Sequence, residues 1–174
     1  MPPFFIYHLI KIVFVFTLVF CGVLFLLKYY FSGKKEPLNP SAGNAQKIIL
    51  PLRLQAYERI VLFLERINPS VLVMRLNRPE LSATELQSLL LKTIRDEFEY
   101  NLSQQLYISL SSWEMIRNAK EETIRLINTT AGKMNEHAAS ADLVRAILEA
   151  SLEKEKLPVS VALEEVKKEI QRLF

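Results

Sequence analysis

Adjacent carboxylates are the arrangement in this sequence with the most obvious potential for chemistry. The pairs are Asp96-Glu97, Glu121-Glu122 and Glu164-Glu165. Two carboxyl groups that converge on one point can share a proton for acid–base catalysis or bind a cation. Each pair falls in a segment with helical periodicity, where neighbouring side chains point about 100° apart. Because no pair converges and Lys or Arg stands close to each, we interpret them as solvated helix faces.

Histidine and cysteine offer no better site. The two histidines, His8 and His137, are far apart, one before an apolar run and one in a polar stretch between helices. Cys21 is the only cysteine, which excludes an intrachain disulfide and a zinc site built on cysteines. The sequence also has no Gly-rich phosphate loop and no Gly-x-Ser-x-Gly. We therefore predict no catalytic, cofactor-binding or metal-binding residues, and a protein that is not an enzyme.

A charged and aromatic group follows the first predicted loop and is the one candidate binding site. It consists of Tyr57, Glu58, Arg59 and Arg66. One interpretation is a docking surface for another protein near a membrane. The alternative is the salt-bridged flank of a helix with Tyr57 in the core, since exposed charge pairs are common and weak.

The N-terminal apolar run predicts a transmembrane helix. Sixteen residues, Ile12 to Leu27, carry no charge, and extension to Leu9–Phe31 adds only Lys11 and Lys28 near the ends. Twenty-three helical residues span roughly 35 Å, enough for the hydrocarbon core. A cleaved signal peptide would have a basic start and small residues at the cut, and neither is present. A buried core helix is disfavoured because Phe, Val and Leu occupy every face.

Positive charge after this run indicates its orientation and its surroundings. Lys28, Lys34 and Lys35 follow the apolar segment, whereas no Lys or Arg precedes Leu9. Short flanks rich in Lys and Arg stay in the cytoplasm, so we expect the domain that follows to be cytoplasmic. Residues 28–80 carry nine Lys/Arg against four Asp/Glu, which favours contact with anionic lipid. A nucleic-acid partner is disfavoured because no denser basic face occurs elsewhere.

Composition predicts an all-α protein. Hydrophobic residues make up 50% of the 174 residues and only four are glycine, so long stretches favour helices over a turn-rich β fold. We divide the chain into a transmembrane anchor (1–31), a linker rich in turn-forming residues (32–47) and a soluble all-α domain (48–174) of four to six helices.

Helix boundaries follow from capping motifs and breakers. We expect helices at about 50–68, 82–108, 112–134, 138–154 and from Pro158 onward. Ser82-x-x-Glu85 and Ser111-x-x-Glu114 both match the capping box. Residues 71–76 fit a helical turn or an extended piece equally well. In the second helix apolar residues recur every four positions, so the row drifts 40° per step. The helix must then bury opposite faces with its two halves or bend near Ser103.

The same periodicity predicts the core. Leu64, Leu90, Phe98, Trp113 and Val166 each lie on an apolar stripe and should be mostly buried. A heptad-like seam along the last helix should pack on neighbouring helices of the domain.

Three segments carry a family resemblance: Leu50–Arg59, Leu62–Pro69 and Glu97–Tyr107. They resemble an uncharacterised family of small single-pass membrane proteins of Bacteroidota. The resemblance implies a bacterial source and a membrane location, and it assigns no functional residues. The combined expectation is a non-enzymatic accessory or scaffold protein that docks its helical domain to a protein partner, within a membrane complex. The alternative is a membrane-surface regulator that binds anionic lipid or nucleic acid through residues 28–80.

Overall fold

Helices make up most of the described chain, as its low glycine content predicts. The computed structural model describes residue 11, residues 16–28 and residues 40–172, and side chains within 40–45 are not described. The helices are α1 (16–28), α2 (Pro40–Ile67), α3 (Pro69–Leu76), α4 (Ala83–Tyr100), α5 (Leu110–Ala131), α6 (Ser140–Leu152) and α7 (Pro158–Gln171), with a 3₁₀ helix at Leu102–Leu106. An isolated bridge between Ser82 and Ala139 is the only β pairing among the described residues. The predicted all-α class is confirmed.

The chain divides into two compact units between Lys47 and Ile48. In the first unit, α1 exposes apolar side chains such as Phe16, Phe20 and Phe25. No helix within the described residues is long and apolar enough to cross a membrane. The predicted span Leu9–Phe31 also contains positions 9, 10, 12–15 and 29–31, which lie outside the described residues.

The second unit, residues 48–174, holds the hydrophobic core. Helix α5 packs against α4, α6 and α7, while α3 packs on α4 and α6. Four predicted core residues, Leu64, Leu90, Trp113 and Val166, are buried as expected. Phe98 is only partly buried, because it lies at the edge of the core with its ring between those of Phe63 and Trp113.

Helix α2 begins earlier than predicted. The predicted linker comprised residues 32–47, of which 32–39 lie outside the described residues and 40–47 are helical. Pro40 fits a first helical turn, where its missing N–H costs no hydrogen bond. Gly43 inside the helix costs only about 1 kcal/mol relative to Ala, and the helix that follows compensates for it.

The predicted end of α4 and the predicted start of α5, on either side of Tyr107, were wrong. Helix α4 ends at Tyr100 rather than near Ile108, because the buried Asn101 side chain donates to the Glu97 carbonyl at 2.8 Å and a 3₁₀ helix follows. The drifting apolar row therefore stops, and Leu102 and Leu106 are exposed. Helix α5 begins at Leu110, with Ser109 as its cap in place of the predicted Ser111.

The structure confirms the first predicted capping box and decides the conformation of residues 71–76. Both hydrogen bonds of the Ser82–Glu85 capping box are present. The ambiguous segment 71–76 is helical, because Asn68 caps α3 and Pro69 fits its first turn. The domain thus contains six α-helices, α2 to α7, among the described residues, with α2 extending beyond it at the N-terminal end.

Candidate functional site

A polar cluster joins α2, α5 and α7 at one end of the domain. Tyr57 belongs to the apolar stripe of α2, and its ring is completely buried. Its hydroxyl donates to Oε1 of Glu169, on the last turns of α7, at 2.6 Å. A buried tyrosine needs such a partner because its hydroxyl otherwise loses its hydrogen bonds with water. The bond connects residues 112 positions apart and fixes α2 to α7.

The Glu169 carboxylate is held as an anion. Burial by itself raises its pKa, but hydrogen bonds from Ser112, Tyr57 and Ser109 outweigh burial and lower the pKa below its usual value. Ser109 donates twice, through its backbone N–H at 3.1 Å and its hydroxyl at 2.9 Å. Because Ser109 caps α5, the carboxylate also lies at the positive end of that helix dipole.

Arg53 completes the cluster from the side of α2. Its Nε donates to the Tyr107 carbonyl at 3.2 Å, and its Nη2 donates to the Tyr57 hydroxyl at 3.4 Å. The pKa of Tyr57 is raised to about 12, first because the ring is buried and second because its hydroxyl donates to Glu169; Arg53 opposes the shift. At neutral pH Tyr57 is therefore protonated and Glu169 ionised. These hydrogen bonds join α2, α7 and the start of α5.

An open groove borders this cluster. Its volume is about 490 Å³. It is lined by Ile49 and Arg53 of α2, by Glu169 of α7, and by residues 106–109, which run from the last residue of the 3₁₀ helix to the cap of α5. Leu106 is 79% exposed, and Ile49 is also exposed. The groove therefore combines two exposed aliphatic side chains with the Arg53 cation and the Glu169 anion.

The predicted docking residues do not share one surface. Tyr57 is buried and cannot contact a partner, because the helical phase of α2 turns it into the core. Glu58 and Arg66 are exposed and Arg59 is partly exposed. Arg66 pairs with Glu97 of α4 at 3.1 Å. The docking surface therefore stays a prediction for the outer side of α2, without Tyr57.

That outer side carries an exposed apolar residue that the sequence analysis did not select. Leu62 is 61% exposed and lies four positions from both Glu58 and Arg66, on one helix face. Arg75 of α3 also reaches Glu97, at 3.6 Å, so α3 borders this face, and α3 exposes Val71 and Met74. We call the set Glu58, Leu62 and Arg66 the Leu62 face.

Of the three predicted membrane-flanking lysines, the structure describes one. Lys28 is exposed at the end of the described part of α1, whereas Lys34 and Lys35 lie outside the described residues.

The carboxylate pairs form ion pairs at the surface. Asp96, Glu121 and Glu164 each bond a lysine at 2.6 or 2.7 Å. Among the described residues no group of three or more His, Cys, Asp or Glu side chains could hold a metal ion. His137 is exposed and His8 lies outside the described residues.

Sequence reasoning missed Arg53, Ser109 and Glu169. None stands in a recognisable motif, and their partners are distant along the chain. The one available signal was Tyr57, because a tyrosine on an otherwise apolar stripe implies a polar partner that the stripe itself does not contain.

Comparison with known families gives a match that covers nearly the whole chain. A family of unknown function, DUF7935, matches residues 4–173. The chain belongs to the DUF7935 family. No curated protein and no solved structure matches it. The resemblance to an uncharacterised family is thus confirmed, while the bacterial source and membrane location that it implied stay predictions. The match covers both α1 and the helical domain.

Proposed function

We propose that this protein is a non-enzymatic, membrane-anchored accessory or scaffold protein that docks another protein on the Leu62 face. The observation that carries the proposal is the exposure of Leu62 between two charged side chains. Helix α3, whose Arg75 shares Glu97 with Arg66, exposes Val71 and Met74 as well. Protein interfaces combine a small apolar centre with a charged, solvated rim. Met and Arg are also enriched in such interfaces.

The ion pairs around Glu97 support a preorganised surface. Glu97 receives Arg66 from α2 and Arg75 from α3, and its side chain is mostly buried between them. The two arginines are therefore held in place before a partner arrives, which lowers the entropy cost of binding. A partner that presents acidic groups at its rim would complement them.

The anchor is proposed from α1 and the surrounding sequence. The described part of α1 exposes apolar side chains around its circumference, and the run Ile12–Leu27 has no charged residue. Lys28, Lys34 and Lys35 follow it. These features support a single-pass helix at a bacterial inner membrane with the helical domain in the cytoplasm. The domain would then present the Leu62 face to a membrane-associated partner.

The polar cluster supports a role without catalysis. Tyr57 and Glu169 have pKa values moved away from neutrality in opposite directions, which stabilises one protonation state of each. A general acid or base, by contrast, has a pKa near the working pH. The cluster serves to fix α2 against α7 and so to hold the Leu62 face in one orientation.

The test is co-purification of the full chain in mild detergent from its native host. Leu62→Arg should abolish recovery of one partner, because a charge would be buried at the centre of the interface. Leu152→Arg is the matched control, since Leu152 is 85% exposed on α6 and outside the Leu62 face. The same proteins recovered with both variants, each folded by Trp113 fluorescence, would contradict the proposal.

A further inference from the structure

The groove beside Arg53 is suited to a second contact with the membrane. Its apolar walls are aliphatic: Ile49 on α2 and Leu106 on the 3₁₀ helix, with Ile108 behind them. Leu52 lies three positions after Ile49 on the same helix face and is also exposed. Tyr107, which is partly buried, and Glu169 complete the lining of the groove. Exposed aliphatic side chains next to a cation are typical of a surface that inserts shallowly into a bilayer.

Charge at the groove matches a phospholipid headgroup. Arg53 donates through Nε and Nη2, which leaves Nη1 without a partner among the described residues. A guanidinium edge next to aliphatic side chains can bond a phosphate oxygen while those side chains enter the acyl region. Glu169 also lines the groove as an anion, and its oxygens accept hydrogen bonds from Tyr57 and Ser109, so a lipid phosphate would bond on the Arg53 side of the groove.

Covalent continuity favours the bilayer over other occupants. Nineteen residues lie between Lys28, at the end of the described apolar helix, and Ile48, and residues 40–47 of these are helical. A helix advances 1.5 Å per residue, less than half the extended rise, so this stretch of the tether is short. Along the chain, Ile48, Ile49 and Leu52 are the part of the domain closest to the proposed anchor.

We propose that the domain rests on the phospholipid surface through Ile49, Leu52 and Leu106, with Arg53 bonded to a lipid phosphate. The inference rests on the proposed anchor, because the tether is what concentrates a weak interfacial contact at the bilayer. It adds to the proposed function a fixed orientation: one end of the domain is held on the membrane and the Leu62 face remains open to a protein partner.

The test measures lipid contact at Leu106 in the full chain. Cys21 is the only cysteine, so Cys21→Ser provides a background for Leu106→Cys labelled with an environment-sensitive fluorophore. The protein is reconstituted in vesicles of phosphatidylethanolamine and phosphatidylglycerol that carry nitroxide groups on their acyl chains. Leu152→Cys is the matched control, because Leu152 is equally exposed on another helix. We expect roughly threefold stronger quenching at position 106, since the nitroxide must approach the label in the interface.

The outcomes separate this inference from the anchor on which it rests. Failure of the chain to float with the vesicles contradicts the anchor and the contact together. Flotation with equal quenching at positions 106 and 152 leaves the anchor intact and overturns the contact. A blue shift at position 106 without quenching by lipid would mean that protein covers the groove, and would also overturn it. Arg53→Gln should weaken quenching at position 106; unchanged quenching with unaltered Trp113 emission would refute the phosphate contact.

Discussion

Replacing Tyr57 by Phe removes one hydroxyl and leaves the buried ring in place. The hydroxyl donates to the ionised Glu169 at 2.6 Å. Hydrogen bonds to charged groups contribute about 1.5–3 kcal/mol. The pKa of Tyr57 is raised from 10.0 to about 12, and burial is the largest cause of this shift, ahead of the hydrogen bond to Glu169. We therefore place this bond at the lower end of the range and expect Tyr57→Phe to cost about 1–2 kcal/mol.

The assay is urea unfolding of the full chain in mild detergent, followed by the fluorescence of Trp113, which is the only tryptophan. Tyr100→Phe is the matched control: the Tyr100 side chain is exposed, so its hydroxyl is hydrated in both states. The control should change stability by less than about 0.5 kcal/mol. A loss at Tyr57 no greater than that of the control would refute the view that this bond fixes α2 to α7.

The pH dependence of the same variant provides an independent check. The folded pKa of Tyr57 exceeds the unfolded value, so its contribution is complete below pH 10 and is lost as the pH rises toward about 12. Tyr57→Phe should remove this alkaline decline. An alkaline decline of equal size in both proteins would show that another group causes it.

Three further predictions concern the core, the carboxylate and the topology. Phe98→Ala should cost about 3 kcal/mol, at the low end of the usual range because Phe98 is only partly buried between Phe63 and Trp113; a loss under about 1 kcal/mol in urea unfolding would contradict this packing. The pKa of Glu169 is lowered in the folded protein, so its ionised carboxylate stabilises the fold at pH values above the ordinary pKa of glutamate. This stabilisation is lost as the pH falls through the lowered pKa, so Glu169→Gln should make the free energy of unfolding less dependent on pH in the acid range. An unchanged acid dependence, measured by unfolding at several pH values, would show that Glu169 does not cause it. Reporter fusions at Phe174 should be active in the cytoplasm, and activity in the periplasm alone would refute the charge-based topology.

Helices whose signals are local could be predicted from the sequence. The Ser82–Glu85 capping box and Pro158 lie at helix starts in both the prediction and the structure. Asn101 and Ser109 were missed because each acts through contacts that periodicity does not encode. Asn101 ends α4 with a side chain bond to the Glu97 carbonyl, and Ser109 is preferred over Ser111 as the cap while also bonding Glu169 of another helix.

The candidate site could be predicted from the sequence less well than the fold, because it also depends on contacts between residues distant along the chain. Glu58 and Arg66 could be recognised as exposed because they are charged, whereas the sequence left Tyr57 open between their surface and the core, and the structure buries it. Its partner Glu169 lies 112 residues away, and only the packing of α7 against the rest of the domain brings it close. Leu62 was missed because an exposed leucine cannot be told from a buried one by residue type.

Extraction of membranes with alkaline carbonate tests the anchor most directly. The full chain should stay with the membrane pellet, because an apolar spanning helix is not released by removing peripheral proteins. Val19→Arg combined with Phe25→Arg places two charges in the apolar run of α1, at a cost of about 2.5–3.5 kcal/mol each if that run spans the bilayer. This variant should move to the supernatant. Recovery of the unaltered chain in the supernatant, or equal retention of both proteins in the pellet, would contradict a membrane-spanning anchor.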